Sequence, residues 1–233
     1  MSSRSGRLLS TLTTVIALGA VAAPLAAAEE TPHFIKGGLE VAKETEVKSA
    51  VHSFFIKTPF DNMLVLCPGV KSKASIGAKW KSKLTVEFSE CMVTEPAGCT
   101  IAGGKVNIQM IDQLVYAKGK KGEELYDIFF SEAHKTFAGV LAEIKFEGAE
   151  CVIAGVKPIT GSAIALPSPN KPGEEAEKVT FKFGGEAGLT GKYVNQENKK
   201  EETAGTLKFG ANPAFLYGEV SLEIGEKETF GGE

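Results

Sequence analysis

Residues Ser82–Cys99, SKLTVEFSECMVTEPAGC, decide the fold of this 233-residue chain. Leu84, Val86 and Phe88 alternate with Thr85 and Glu87, the period of two that turns every second side chain to one face of a strand. The strand runs into Cys91, and Pro96 and Gly98 then mark a turn before Cys99. Working outward, Cys67 ends the apolar run MLVLC, and Cys151 follows the alternating VLAEIKFEG. All four cysteines, Cys67, Cys91, Cys99 and Cys151, lie in this span. The expectation is an all-β protein, an antiparallel sandwich or barrel, pinned by two disulfides.

The N-terminus sets the compartment. Arg4 and Arg7 precede an apolar, alanine-rich stretch from Leu8 to Leu25, and Ala26-Ala27-Ala28 offers a small-residue cleavage site before Glu29. Residues 1–28 therefore read as a secretory signal peptide and 29–233 as one all-β domain, secreted or attached to the cell envelope. Loss of both arginines would take the formal charge from −3 to −5. Phosphate backbones demand a basic surface, so nucleic acid is not the expected partner. No later run of about 18 apolar residues exists, so no membrane span is expected after cleavage.

Four cysteines allow three connectivities. The tight turn between Cys91 and Cys99 favours pairing those two, leaving Cys67 with Cys151 at two strand ends. A metal site is disfavoured, because there is no CxxC pair and His33, His52 and His134 show no ligand spacing with the cysteines.

Along the rest of the chain, PHFIKGGLEV reads as two strands around Gly37-Gly38, and KSAVHSFFIKTP as a strand with a buried side. KVNIQM alternates Val106, Ile108 and Met110. LVYAKGKKGEELYDIFF reads as two strands around a Lys/Gly turn. Leu125, Ile128 and Phe129 also fit a helical turn, but Tyr, Ile and Phe enrichment favours the strand. CVIAGVKPITGSAIAL adds a strand pair bent at Gly155 and Pro158, and PSPNKPGEEAEK, Pro167–Lys178, reads as a loop. VTFKF, GTLKF and EVSLEI supply three more strands, with turns at Gly184-Gly185 and over 195–202.

The order HFIKGG, LCPGVKSKASIG, LTVEFSEC followed by Cys99, and FEGAECVIAGVKPITGSAIALPSPN is similar to that of a poorly characterised family of secreted four-cysteine β-rich proteins of high-GC Gram-positive bacteria. The resemblance implies export, an all-β fold and paired cysteines. No activity is attached to that family, so no functional residue carries over.

Catalytic signatures are missing. There is no GxSxG, HExxH, P-loop or GxGxxG, and the only aspartates are Asp61, Asp112 and Asp127. His134, with Glu132 two residues away and Ser131 beside it, is the best-placed general base, but a catalytic histidine needs partners brought together in space. Glu143, Glu147 and Glu150 are ordinary for an exposed strand face. Clustered Asp/Asn oxygens for calcium are missing, and no cofactor is implied. The one ligand-patch candidate is the lysine-rich segment with Lys71, Lys73, Lys79, Trp80 and Lys81, a basic surface with an aromatic platform suited to an anionic cell-wall or extracellular polymer. A solvated strand face with a core tryptophan explains the same residues. Function therefore reads first as a non-enzymatic exported binding or structural scaffold. A β-barrel carrier of a small apolar ligand is the alternative, and a hydrolase of unrecognised type the second.

Overall fold

The computed structural model describes residues 34–36, 39–40, 45–58, 63–77, 81–117, 124–171, 173–184 and 190–230. The expected signal peptide, 1–28, lies outside them. In chain order the strands are β1 (Phe34–Lys36), β2 (Leu39–Glu40), β3 (Thr45–Lys57), β4 (Leu64–Cys67), β5 (Gly69–Ile76) and β6 (Ser82–Ser89). Then come β7 (Met92–Glu95), β8 (Thr100–Ile101), β9 (Val106–Tyr116), β10 (Leu125–Ser131), β11 (Val140–Glu147) and β12 (Gly155–Thr160). β13 (Ala163–Ser168), β14 (Glu175–Phe183), β15 (Gly191–Asn195), β16 (Lys200–Ala204), β17 (Lys208–Phe209), β18 (Asn212–Pro213) and β19 (Phe215–Phe230) complete the set.

Eight of these strands close into an antiparallel barrel in the order β3, β5, β6, β9, β10, β13, β14, β19 and back to β3. Neighbours in the barrel follow chain order; β1 and β2 precede it, with β1 on the end of β19, and the other strands sit in the connections. Between sandwich and barrel, closure decides: the sequence shows one buried face per strand, whereas only the β19–β3 pairing joins the two ends of the sheet. The phase of alternation fills the interior. Leu84, Val86 and Phe88 of β6 lie opposite Met110, Ile108 and Val106 of β9. Phe129 of β10 packs against Phe181 and Phe183 of β14, with ring centroids 5.6 and 4.9 Å apart. Eight strands leave an interior that side chains of this size can fill, which lowers the energy by close contact and water exclusion.

A second layer grows from the connections. β4 pairs with β7, β7 with β8, β8 with β11, β11 with β12, and β12 with β17. Its apolar side, including Ile101, Ile144, Phe146 and Phe209, joins the same hydrophobic core as the barrel interior.

Both disulfides lie in this layer, and their pairing corrects the expected one: Cys67 bonds Cys91, and Cys99 bonds Cys151. The reason is register. β7 lies between β4 and β8, antiparallel to β4 with Leu66 opposite Met92, which sets Cys67 against Cys91. Their Cα atoms are 4.0 Å apart. Thr100 lies opposite Glu147, so Cys99 falls beside the turn after β11, where the Cys151 N–H donates to the Gly148 carbonyl at 3.2 Å. Gly148 has φ +135, and a Cβ there would come 2.0 Å from the Gly98 carbonyl oxygen. Only glycine lets the two cystine-bearing turns approach this closely.

Three further expectations change. β12 and β13 do not pair with each other: β12 lies between β11 and β17, and β13 between β10 and β14. The bend between them is at Gly161, φ +98, pressed against the Thr206 carbonyl, so Pro158 sits inside β12. Pro167 belongs to β13 and not to a loop. It lies opposite Phe181 of β14, but the β10 ladder covers only 163–165, so its missing N–H costs no ladder bond on that side. GKYVN and KEETA, too polar to read as strands, form the hairpin β15–β16. It covers the outer face of β9, β10 and β13, where Tyr193 and Ala204 pack with Ile111, Val115, Ile128, Phe130, Phe137 and Ile164. That cover explains why 111–117 is buried on both faces.

Candidate functional site

The lysine segment divides. β5 carries Lys71 and Lys73 on the face opposite Val70, Ser72 and Ala74, and both are exposed. Lys81 leaves the group: its Nζ is 2.7 Å from Glu197 Oε1 on the β15–β16 turn. Lys135 approaches the other Glu197 oxygen at 3.5 Å. Burial alone would raise the Glu197 pKa, but the hydrogen bond and charge of Lys81, helped by Lys135, outweigh it and hold the carboxyl below its usual range. Lys79 and Trp80 lie outside the described residues.

Around Lys71 and Lys73 the barrel wall changes character. β3 and β5 are bridged at 45–47, and β3 and β4 at 54–57, in one continuous register. Between these, among the described residues, the ladder is interrupted. Counting on from Val47 opposite Ala74 sets Lys48 against Lys73 where the interruption begins. Like charges directly opposite weaken a strand pair, and this pair sits where bridging stops. Across the seam the Ser49 and Ser72 hydroxyls hydrogen-bond at 2.8 Å. An open trough follows, lined by Lys48, Lys71 and Lys73 together with Lys83, Glu46 and Glu87. Lys83 pairs with Glu132 at 3.3 Å and Glu87 with Lys105 at 3.5 Å. Among the described residues Lys48, Lys71 and Lys73 make no ion pair, although Glu87 lies opposite Lys71 and Glu223 opposite Lys48 in the ladders, and the lining sets Lys48, Lys71, Lys73 and Lys83 against Glu46 and Glu87.

The histidine candidate resolves into a local turn. Ser131 ends β10, and its hydroxyl lies 3.0 Å from His134 Nδ1 and accepts the His134 N–H at 3.3 Å. Ser131 is 2 % exposed, so the hydroxyl is not presented to a substrate. Glu132, no longer on a strand face with His134, is engaged by Lys83. The pair thus caps a turn, and among the described residues no third group hydrogen-bonds His134. Glu143, Glu147 and Glu150 are exposed, and Glu147 pairs with Lys145 at 2.6 Å.

A juxtaposition that sequence reading missed lies inside the wall. Asp112 shares the inward face of β9 with Met110 and Leu114, and Asp127 shares that of β10 with Leu125 and Phe129. With Asp127 opposite Leu114 and Asp112 opposite Phe129, the two carboxyls are diagonal neighbours on the inward face, close enough for side chains to interact. The signal was present in each strand separately, as an aspartate in the apolar phase of the alternation. Among the described residues no group of three or more His, Cys, Asp or Glu side chains is placed to hold a metal ion.

Comparison with known proteins adds no relative: no family model, curated protein or solved structure matches the chain.

Proposed function

We propose that this chain is an exported, non-enzymatic β-barrel scaffold that binds an anionic cell-wall or extracellular polymer along the trough over β3, β5 and β6. The observation that carries this reading is the run of Lys48, Lys71 and Lys73, which make no ion pair among the described residues, beside an interrupted ladder. A polyanion lying in the trough would neutralise those charges, including the like pair Lys48 and Lys73. Two disulfides support an oxidising destination. The polar outer phase of β5 and β6, with Lys71, Lys73, Thr85 and Glu87, differs from the apolar band of a membrane barrel.

The carrier alternative draws on the same closed barrel, since eight strands can enclose one small ligand. Among the described residues, the apolar cavity lined by Phe88, Val106, Ile108 and Ile144 measures about 20 Å³, room for a single water and far below the several hundred Å³ of ligand sites. The scaffold reading needs no repacking.

The test is retention of the disulfide-bonded chain on a polyuronate resin eluted with a salt gradient. Wild type is expected to bind at low salt and elute as screening rises. Lys71→Gln combined with Lys73→Gln is expected to weaken binding at least about tenfold, with stability within about 0.5 kcal/mol because both sites are exposed and neutral glutamine sets no like charge against Glu87, which lies opposite Lys71. Equal retention of wild type and variant would remove the trough from the binding surface.

A further inference from the structure

We propose that Asp112 and Asp127 form one buried proton-binding site in the barrel wall, making the fold most stable in acid and less stable as its surroundings turn neutral. The proposal is independent of the lysine trough.

The geometry leaves one ligand missing. Asp112 is 1 % exposed and Asp127 is 0 % exposed. Asp112 Oδ1 accepts the Ser82 backbone N–H at 2.7 Å and also the Ser82 hydroxyl. Asp112 Oδ2 and both oxygens of Asp127 have no donor among the described residues. A buried acceptor without a donor costs about 1–3 kcal/mol, and more when charged. A proton on Asp127 supplies the missing O–H, which donates to Asp112 Oδ2 and removes one of two like charges. Among the described residues around the pair there is no other counter-charge. β6 presents Ser82 and Leu84, β13 Ala163 and Ala165, and β14 Phe181 and Phe183. On β9 the inward titratable groups are Asp112 and, further along, Tyr116 opposite Leu125, and neither is cationic. Burial first, then the charge and hydrogen bond of Asp112, raise the Asp127 pKa well above that of a free aspartate, against the weaker pull of the Ile128 and Gln113 backbone N–H groups, which lie near Asp127 without reaching full hydrogen-bond geometry.

The sign follows from proton counting. Above the ordinary aspartate range the unfolded chain has released this proton and the folded chain still holds it. Stability therefore falls as pH rises from about 4 to the folded-state value, and is level beyond it. Glu197, with its lowered pKa, acts in the opposite sense, gaining stability over the ordinary carboxylate range. Comparison with an Asp127 variant isolates the buried site from it.

The experiment is urea unfolding of the disulfide-intact chain from about pH 4 to about pH 8, wild type beside Asp127→Asn, whose amide donates permanently where the acid donates only when protonated. The folded-to-unfolded ratio of wild type is expected to fall relative to the variant by about tenfold per pH unit until Asp127 ionises. A wild-type to variant ratio that is constant across the range, or that rises with pH, overturns the proposal. Should Asp127→Asn fail to fold, the side-chain carboxyl ¹³C signal of Asp127 in wild type decides. A protonated-acid shift persisting above about pH 5 supports the site, and a carboxylate shift there overturns it.

Discussion

Unfolding of a Cys99→Ala/Cys151→Ala variant in urea is expected to show about 4 kcal/mol less stability than wild type. The bridge closes a separation of 52 residues, and the chain entropy it removes from the unfolded state scales with the logarithm of that length. Cys67→Ala/Cys91→Ala, across 24 residues, is expected to lose about 3.4 kcal/mol. Alanine suits both sites better than serine, since all four cysteines are at most 8 % exposed and a buried hydroxyl would add its own penalty. The order of the two losses is the discriminating quantity. With Cys91 paired to Cys99 and Cys67 to Cys151, each double variant would take one cysteine from both bridges, and the two losses would be equal. Peptide mapping of the unreduced chain reads the same point directly: a fragment joining Cys67 to Cys91 is expected, and one joining Cys91 to Cys99 would contradict the register of β4 on β7.

The second large effect is in the barrel. Phe129→Ala is expected to cost about 3–5 kcal/mol, the range for removing a buried aromatic ring where the walls cannot close on the space. Phe129 is 2 % exposed, touches the rings of Phe181 and Phe183, and lies on a strand hydrogen-bonded on both sides, so collapse is restricted. Met92→Ala, at 54 % exposure, is the matched surface control and is expected to stay within about 0.5 kcal/mol. Urea midpoints of the two variants check both values. A Phe129→Ala midpoint close to that of Met92→Ala would mean the interior is loosely filled, which would favour the carrier alternative.

Strand positions were legible wherever burial is one-sided, because alternation is a local property of the backbone. β6, β11 and the first half of β9 are visible from Leu84, Val86 and Phe88, from Ile144 and Phe146, and from Val106, Ile108 and Met110. The β15–β16 hairpin was not, because its seat depends on polar contacts made at a distance: Gln113 donates to the Val194 carbonyl at 2.7 Å, and Glu202 accepts the Phe137 N–H at 2.6 Å. Lys71 and Lys73 were legible as exposed charge, since neighbours two apart on a strand share a face. Their separation from Lys81 was not, because Glu197, the partner that removes Lys81, is 116 residues away.

By itself, then, the sequence determined an all-β chain with four cysteines in one region and a basic outer phase on β5, all consequences of period and composition. Tertiary structure alone decided closure of the barrel, the cystine partners and the meeting of Asp112 with Asp127. Each depends on ladder register between strands, and a shift of one residue in register turns every side chain of a strand to its other face.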